Sequence, residues 1–236
     1  MKRLKWLFVL ALPFLLTGCL DEDGDGTPDI FQDGNGLGWF GDENDEELED
    51  DIVVSNVDPS SLPSSVDLTN KFPPIGNQGQ YGTCVAWAVG YNAKTYLHGQ
   101  DMNLGMSDLA STSNQFSPKD LFLALPDNYT GPNCGGTSFE AALDVMVNRG
   151  VATMSTDPYT NIGDCSQSPS GSAESEAGDF KFKNYRQVDL DRDLLKSYLA
   201  DNRPVIFGAK LGDGFMNWAG SDVITSDGPM TNGQHG

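Results

Sequence analysis

The stretch Gln78-Gly79-Gln80-Tyr81-Gly82-Thr83-Cys84-Val85-Ala86-Trp87-Ala88 places a cysteine at the start of an apolar run and a glutamine six residues before it. The run continues to about Leu97 and predicts a buried helix that begins at Cys84 and ends at Gly99. Amide N–H groups at a helix N-terminus carry partial positive charge, which favours the thiolate form of a cysteine. When a thiolate attacks a carbonyl carbon, the Gln78 side chain and the Cys84 N–H can donate to the resulting oxyanion. The pattern therefore predicts a nucleophile at Cys84 and an oxyanion donor at Gln78.

Helix signals dominate the middle of the chain, and a strand signal comes late. Ser117-Pro118-Lys119-Asp120 predicts a helix start, because it combines a serine cap, a first-turn proline and an acid. Residues 137–140 form a second start signal, and residues 191–202 predict a further helix. Residues 203–208 predict a strand, and the Ser-, Gly- and Glu-rich segment 166–178 predicts a surface loop. This order of elements indicates the α+β class.

The first residues have the form of an export signal. Three basic residues precede an apolar run from Trp6 to Leu16, which is too short to span a bilayer comfortably. Leu16-Thr17-Gly18-Cys19 is similar to a bacterial lipobox, in which the cysteine is lipidated and becomes the new N-terminus. We therefore expect a lipoprotein signal peptide at residues 1–18 and a membrane anchor on Cys19. A leader that is cleaved without lipidation is the alternative.

The net charge of −20 is concentrated near the N-terminus. Residues 21–51 hold 14 of the 34 acidic residues and neither Lys nor Arg. A segment of this composition cannot bury enough apolar surface to fold alone, so residues 19–57 are predicted to form a lipidated, acidic, Asp/Gly-rich tether. The chain shows no basic patch, and we therefore expect no nucleic-acid partner.

Four aspartates around Gly26 have the spacing of a calcium loop, namely Asp21, Asp23, Asp25 and Asp29. Alternate carboxylates in a Gly-containing turn can converge on one hard cation. The pattern resembles a single thrombospondin type-3 repeat, but Gln32 stands where an EF-hand has its bidentate glutamate. Two interpretations remain open, a weak calcium site and a solvated acidic spacer.

Residues 64–236 contain an ordered series of motifs that resembles the papain-like cysteine peptidases. Around the cysteine these are Val66-Asp67, Asn77-Gln78-Gly79 and Gly82-Thr83-Cys84. Further along they are residues 116–121, the turn Asn133-Cys134-Gly135-Gly136, the loop ending Asp157-Pro158-Tyr159, and residues 195–208. A peptidase domain is accordingly expected over residues 58–236.

The resemblance implies a two-lobed fold, in which a helical lobe carries Cys84 and a β-barrel lobe carries a histidine. An extended peptide would lie in the cleft between the lobes. By the family pattern, Cys84 is the nucleophile and Gln78 supplies the oxyanion hole. Gly135 and Gly136 would bind the substrate backbone, and no cofactor is required.

The family pattern also bears on the remaining cysteines. Tyr81 stands where the family usually has a cysteine that forms a disulfide near the site. The resemblance therefore implies that Cys134 and Cys165 can pair with each other, and two buried thiols are the alternative. A disulfide there, with Cys19 lipidated, would leave Cys84 as the reactive thiol.

The family pattern requires a histidine base, and the sequence holds two histidines, His98 and His235. His98 lies at the far end of the helix that starts at Cys84, about 20 Å away, which is too far for a base. His235 lies at about the family's separation from Cys84. The strands and the Asn-Ser-Trp motif that follow the family's histidine are missing, so we expect an incomplete barrel lobe and a weakly active or inactive fragment. The base is His235, or a residue beyond Gly236, or absent.

The sequence as a whole predicts a lipid-anchored cysteine peptidase of the bacterial envelope that acts on peptides or proteins. Leu20 lacks the aspartate that retains many lipoproteins in the inner membrane, which favours the outer membrane. One alternative is a non-catalytic papain-fold lipoprotein that binds peptides or acts in adhesion. A second is a calcium-dependent acidic surface protein.

Overall fold

The computed structural model describes residues 57–130, 134–160, 162, 165–219, 224, 228 and 233–236. The predicted signal peptide, Cys19 and the predicted calcium ligands Asp21, Asp23, Asp25 and Asp29 lie outside the described residues. Across the described ranges, no helix is both long enough and apolar enough to cross a bilayer. The boundaries at residues 18 and 57 therefore stay predictions.

The centre of the helical region is a continuous helical segment that starts at Cys84. It consists of α1 (Cys84–Ala86), a π-helix (Trp87–Lys94) and α2 (Thr95–Asp101). The predicted end at Gly99 is two residues early. A Cβ at Gly99 would lie only 2.8 Å from Leu109 Cδ2 in α3 (Met106–Leu109), so this glycine allows close packing rather than ending the helix.

Two capped helices, α4 (Pro118–Leu123) and α5 (Phe139–Asn148), pack against the start of the central segment. The Ser117 hydroxyl accepts a hydrogen bond from Asp120 N at 3.1 Å, which confirms the predicted cap. At the second start signal, Ser138 is the cap and accepts from Ala141 N at 3.2 Å. The core between these helices is apolar and fully buried, and includes Val85, Ala86, Val89, Phe116, Leu121, Phe122, Ala142, Met146 and Val151.

A buried ion pair joins α4 to the end of α5. The Asp120 carboxylate is inaccessible to solvent, accepts two hydrogen bonds from the Arg149 guanidinium at 2.8 and 3.0 Å, and accepts a third from Ala152 N at 2.7 Å. Arg149 Nε also donates to Glu174 at 3.0 Å. Burial opposes the charge of Arg149, but the two carboxylates outweigh it, so the guanidinium pKa is raised.

Glu174 belongs to α6 (Gly171–Ala177), and the prediction of a surface loop over residues 166–178 is therefore wrong. The Ser170 hydroxyl caps this helix by accepting from Ala173 N at 3.2 Å. Ala173 and Ala177, one helical turn apart, are fully buried. Helix α7 (Arg192–Ala200) lies within the predicted range 191–202 and is capped by Asp191.

The C-terminal part contains short elements. These are β1 (Ala209–Lys210), α8 (Asp213–Met216) and β2 (Gln234–His235), with short 3₁₀ turns elsewhere at Pro59–Ser61, Thr69–Lys71 and Asp127–Tyr129. β1 and β2 are antiparallel, with Ala209 opposite His235 and Lys210 opposite Gln234. The prediction of a strand at 203–208 is wrong, because the ladder begins only at Ala209.

Candidate active site

Cys84 is the first residue of α1, and its side chain is almost fully buried. The following residues Val85 and Ala86 are inserted in the core, so the helix start cannot shift without disrupting that packing. The sulfur therefore lies at a helix N-terminus, where N–H dipoles favour an anion.

The loop before Cys84 is folded on itself by side-chain hydrogen bonds. Gln78 Nε2 donates to the Tyr81 carbonyl at 3.0 Å, and Gly79 N donates to Asn77 Oδ1 at 2.8 Å. Gly79 has φ 65°, a left-handed conformation that favours glycine. Gln78 and Cys84 line one cavity, as the oxyanion prediction requires.

Tyr159 contacts both ends of this loop, at Gln78 and at Thr83. Its hydroxyl donates to the Gln78 main-chain carbonyl at 2.9 Å and lies 2.7 Å from Thr83 Oγ1. Its ring packs edge-on against Trp87, with 4.8 Å between centroids. Burial raises the pKa of the Tyr159 hydroxyl, so it remains a donor at neutral pH. Sequence reasoning recognised the Asp157-Pro158-Tyr159 loop but assigned this hydroxyl no role.

The Gly135-Gly136 turn lies directly against the cysteine loop. Gly82 N donates to the Cys134 carbonyl at 2.8 Å. A Cβ at Gly82 would collide with the Gly135 carbonyl oxygen, so only glycine allows this approach. A disulfide joins Cys134 to Cys165, the pair that the resemblance implied. Cys84 is the cysteine outside a disulfide among the residues that the structure describes.

His235 reaches the same cavity from β2. Burial lowers the pKa of its imidazole, which favours the neutral form that can act as a base. Its Nδ1 is buried and has no hydrogen-bond partner among the described residues. The next residue contacts the Cys84 sulfur, since Gly236 N donates to Cys84 Sγ at 3.4 Å. Sequence reasoning missed this contact, because it depends on the strand pairing.

The shared cavity is mostly apolar and has a volume of about 1080 Å³. Besides Gln78, Cys84 and His235, its lining includes Phe72, Ile75, Trp87, Val205, Ile206 and Phe207. His98 is not part of it. That histidine lies in the last turn of α2, where it is half-buried against the rings of Phe116 and Phe180, at 5.3 and 5.8 Å between centroids.

The site therefore contains a buried thiol at a helix start, an amide side chain in reach of the same cavity, and an imidazole whose lowered pKa favours the neutral form. These are the parts needed for nucleophilic acyl transfer. Within the described ranges, no group of three or more His, Cys, Asp or Glu residues could hold a metal ion.

Comparison with solved structures places this arrangement in a known fold. Xylellain, a cysteine protease from Xylella fastidiosa, superposes with a TM-score of 0.64 at 20% identity, covering 85% of this chain and 77% of xylellain. The proform of Amb a 11, a cysteine protease and major ragweed pollen allergen, superposes with a TM-score of 0.53 at 22% identity, covering 79% and 53%. None of the curated proteins compared with the chain matches it.

The sequence pattern of the family described as papain family cysteine protease matches residues 62–236. This match and the fold of the two structures confirm the predicted fold class, a helical lobe with Cys84 and a second lobe with few strands. The chain belongs to the papain family of cysteine proteases.

Proposed function

We propose that the protein hydrolyses peptide bonds through a Cys84 acyl-enzyme with His235 as the base. The observation that carries this proposal is that Cys84, Gln78 and His235 line one cavity, with the His235–Gly236 peptide against the sulfur. Papain-family proteases need no cofactor, and each step below uses only groups of this chain and water.

In the first half of the reaction, the neutral His235 imidazole takes the proton of the Cys84 thiol, and the thiolate Sγ attacks the carbonyl carbon of the scissile peptide. An S–C bond forms and the carbonyl electrons move to oxygen, where Gln78 Nε2 and Cys84 N–H donate to the oxyanion. The C–N bond breaks as the oxyanion collapses, and the imidazolium gives its proton to the leaving amine. In the second half, the neutral imidazole takes a proton from water, which attacks the thioester and releases the acid and Cys84.

A second candidate is peptide binding without cleavage. Among the residues that the structure describes, none forms a hydrogen bond with the buried Nδ1 of His235. This favours binding without cleavage, because a working base is usually held by an orienting partner. In this alternative the apolar cavity holds side chains of a peptide, and Cys84 attacks no carbonyl carbon.

The pH dependence of Cys84 alkylation by iodoacetamide, followed by peptide mass spectrometry, separates these candidates. If His235 is the base, alkylation stays fast well below pH 8.5, the usual thiol pKa, and the effect is lost in His235→Ala. His98→Ala is the matched control, since that histidine lies outside the cavity. An ordinary thiol profile in folded wild-type protein would contradict the His235 assignment.

The cellular setting is part of the proposal. A lipid on Cys19 would anchor the protein to the envelope, with the outer membrane favoured by Leu20 and the acidic residues 21–51 as a tether. Fractionation of cells that express the full chain or Cys19→Ser tests it, with the N-terminal peptide analysed for acyl chains. An unacylated peptide, or a variant that stays in the membrane fraction, would contradict the anchor.

Weak calcium binding by Asp21, Asp23, Asp25 and Asp29 is proposed for the same segment. A calorimetric titration of the full chain should show binding that is lost when Asp23 and Asp25 are changed to Asn. Equal heats for both proteins would leave only a solvated spacer.

A further inference from the structure

The Tyr159 hydroxyl occupies a position that connects the two donors of the oxyanion site. A tyrosine hydroxyl has one proton, and the geometry assigns it to the Gln78 carbonyl at 2.9 Å. The Thr83 hydroxyl, 2.7 Å away, is then the donor to the tyrosine oxygen. The result is a chain of two hydrogen bonds from Thr83 through Tyr159 to Gln78.

These two hydrogen bonds connect the residues that determine where the two oxyanion donors lie. Gln78 carries the side-chain donor, and Thr83 is joined by its peptide bond to Cys84, whose N–H is the second donor. Between them, Gly79 allows the loop to turn and Gln78 Nε2 contacts the Tyr81 carbonyl. The hydrogen-bonded tyrosine therefore limits the separation of the two ends of the loop.

The tyrosine is itself held from outside the cysteine loop. Asp157, two residues earlier, forms an ion pair with Lys119 of α4 at 3.0 Å, and its N–H donates to the Thr153 carbonyl at 3.0 Å. The Tyr159 ring packs on Trp87, one turn after the nucleophile. A hydroxyl that is fixed by the helical core can hold a glycine-containing loop in one conformation.

We propose that Tyr159 is a positioning residue of the oxyanion site, which fixes Gln78 relative to the Cys84 N–H through hydrogen bonds to Gln78 and Thr83. This inference rests on the proposed function. It assigns Tyr159 no contact with substrate, and its effect passes through Gln78.

Tyr159→Phe keeps the ring and removes the hydroxyl, and Tyr185→Phe is the matched control. The Tyr185 hydroxyl also has a hydrogen bond, to Asp144 Oδ1 at 2.9 Å, but this bond is exposed and Tyr185 does not line the cavity. We expect Tyr159→Phe to lower kcat about tenfold, because small displacements of catalytic groups have effects of this order, with KM changed less than about twofold. Tyr185→Phe should leave both parameters unchanged.

Two further measurements exclude a merely structural effect. Iodoacetamide alkylates sulfur at a saturated carbon and forms no oxyanion, so Tyr159→Phe should alkylate at the wild-type rate. In a Gln78→Ala background, Tyr159→Phe should cause no additional loss of kcat, since the group it positions is absent.

The outcomes distinguish the inference from the function on which it rests. A fall in alkylation rate, a full additional loss in the Gln78→Ala background, or a wild-type kcat would overturn the role of Tyr159 while leaving the peptidase in place. If wild-type protein cleaves no peptide in a diverse library, the proposed function fails and the inference fails with it.

Discussion

The region around the nucleophile and the region that carries the histidine are built differently. The described residues between 84 and 152 include packed helices whose inner side chains are buried, with an ion pair at the solvent-inaccessible Asp120 carboxylate. Among the described residues of the range 203–236, β1 and β2 form a ladder of two residue pairs, and Phe207 is 71% exposed and Trp218 46% exposed. The described contacts thus hold Cys84 within a packed core and His235 in a short ladder.

Because of this difference, we expect changes in one region to affect mainly stability and changes in the other to affect mainly activity. Changes in the helical region should act mainly on the free energy of unfolding, because that region holds most of the buried apolar side chains. Changes near β1 and β2 should act mainly on turnover, because they move His235 relative to Cys84 while removing little buried surface. The variants below test this separation.

The largest expected loss of stability follows from Arg149→Met. It leaves the Asp120 carboxylate buried without its charged partner, which typically costs about 3–5 kcal/mol. Urea unfolding measures the change, and Glu174→Gln is the control because its half-exposed carboxylate should contribute less than about 1 kcal/mol. Similar losses in both variants would show that Asp120 is not the critical partner.

Gln78→Ala should reduce activity while leaving the fold intact. Removal of one oxyanion donor typically lowers kcat on the order of 10²–10³-fold, and the lost Gln78–Tyr81 hydrogen bond is local to the loop. Peptide hydrolysis and thermal unfolding are measured side by side. A rate loss below tenfold would remove Gln78 from the oxyanion site.

Ala209→Pro should lower kcat about tenfold with a small change in unfolding temperature. Proline cannot donate to the β1–β2 ladder, so the strand that holds His235 opposite Ala209 should loosen. Ala209→Val keeps the N–H and is the control. If Ala209→Pro lowers the free energy of unfolding as much as Arg149→Met does, the contrast between the two regions is wrong.

Local signals in the sequence predicted the helical region well. The serine cap at Ser117 and the apolar run after Cys84 act over a few residues, and the structure contains both features. Helix α6 was missed because its sequence is rich in Gly, Ser and Glu. Its visible signals were the cap at Ser170 and the alanines at 173 and 177.

Contacts between residues that lie far apart in the sequence could not be predicted from local sequence patterns. The Asp120–Arg149 pair and the hydrogen bond from Tyr159 to Gln78 join residues 29 and 81 positions apart. The ladder at Ala209 likewise depends on its partner His235 rather than on β-propensity at 203–208. The helix start at Cys84 could thus be predicted from sequence, whereas the contacts of Tyr159 and His235 needed the fold.

The smallest expected effect concerns His98, which does not line the cavity. Burial between Phe116 and Phe180 lowers its pKa, the charge of Lys94 lowers it further, and Asp101 opposes this. In the unfolded chain the pKa of this histidine is near 6.5. Just below pH 6.5 the unfolded chain therefore binds more protons than the folded protein, and the free energy of unfolding rises with pH in this range. The contribution of His98 to the free energy of unfolding is complete above about pH 6.5 and is lost as the pH falls towards the pKa of the folded protein.

Urea midpoints at pH 5.0 and 7.5 should differ less in His98→Gln than in wild type. Because burial also lowers the pKa of His235, the His235→Gln variant is measured in parallel, and an unchanged difference in His98→Gln would assign the pH dependence to other groups.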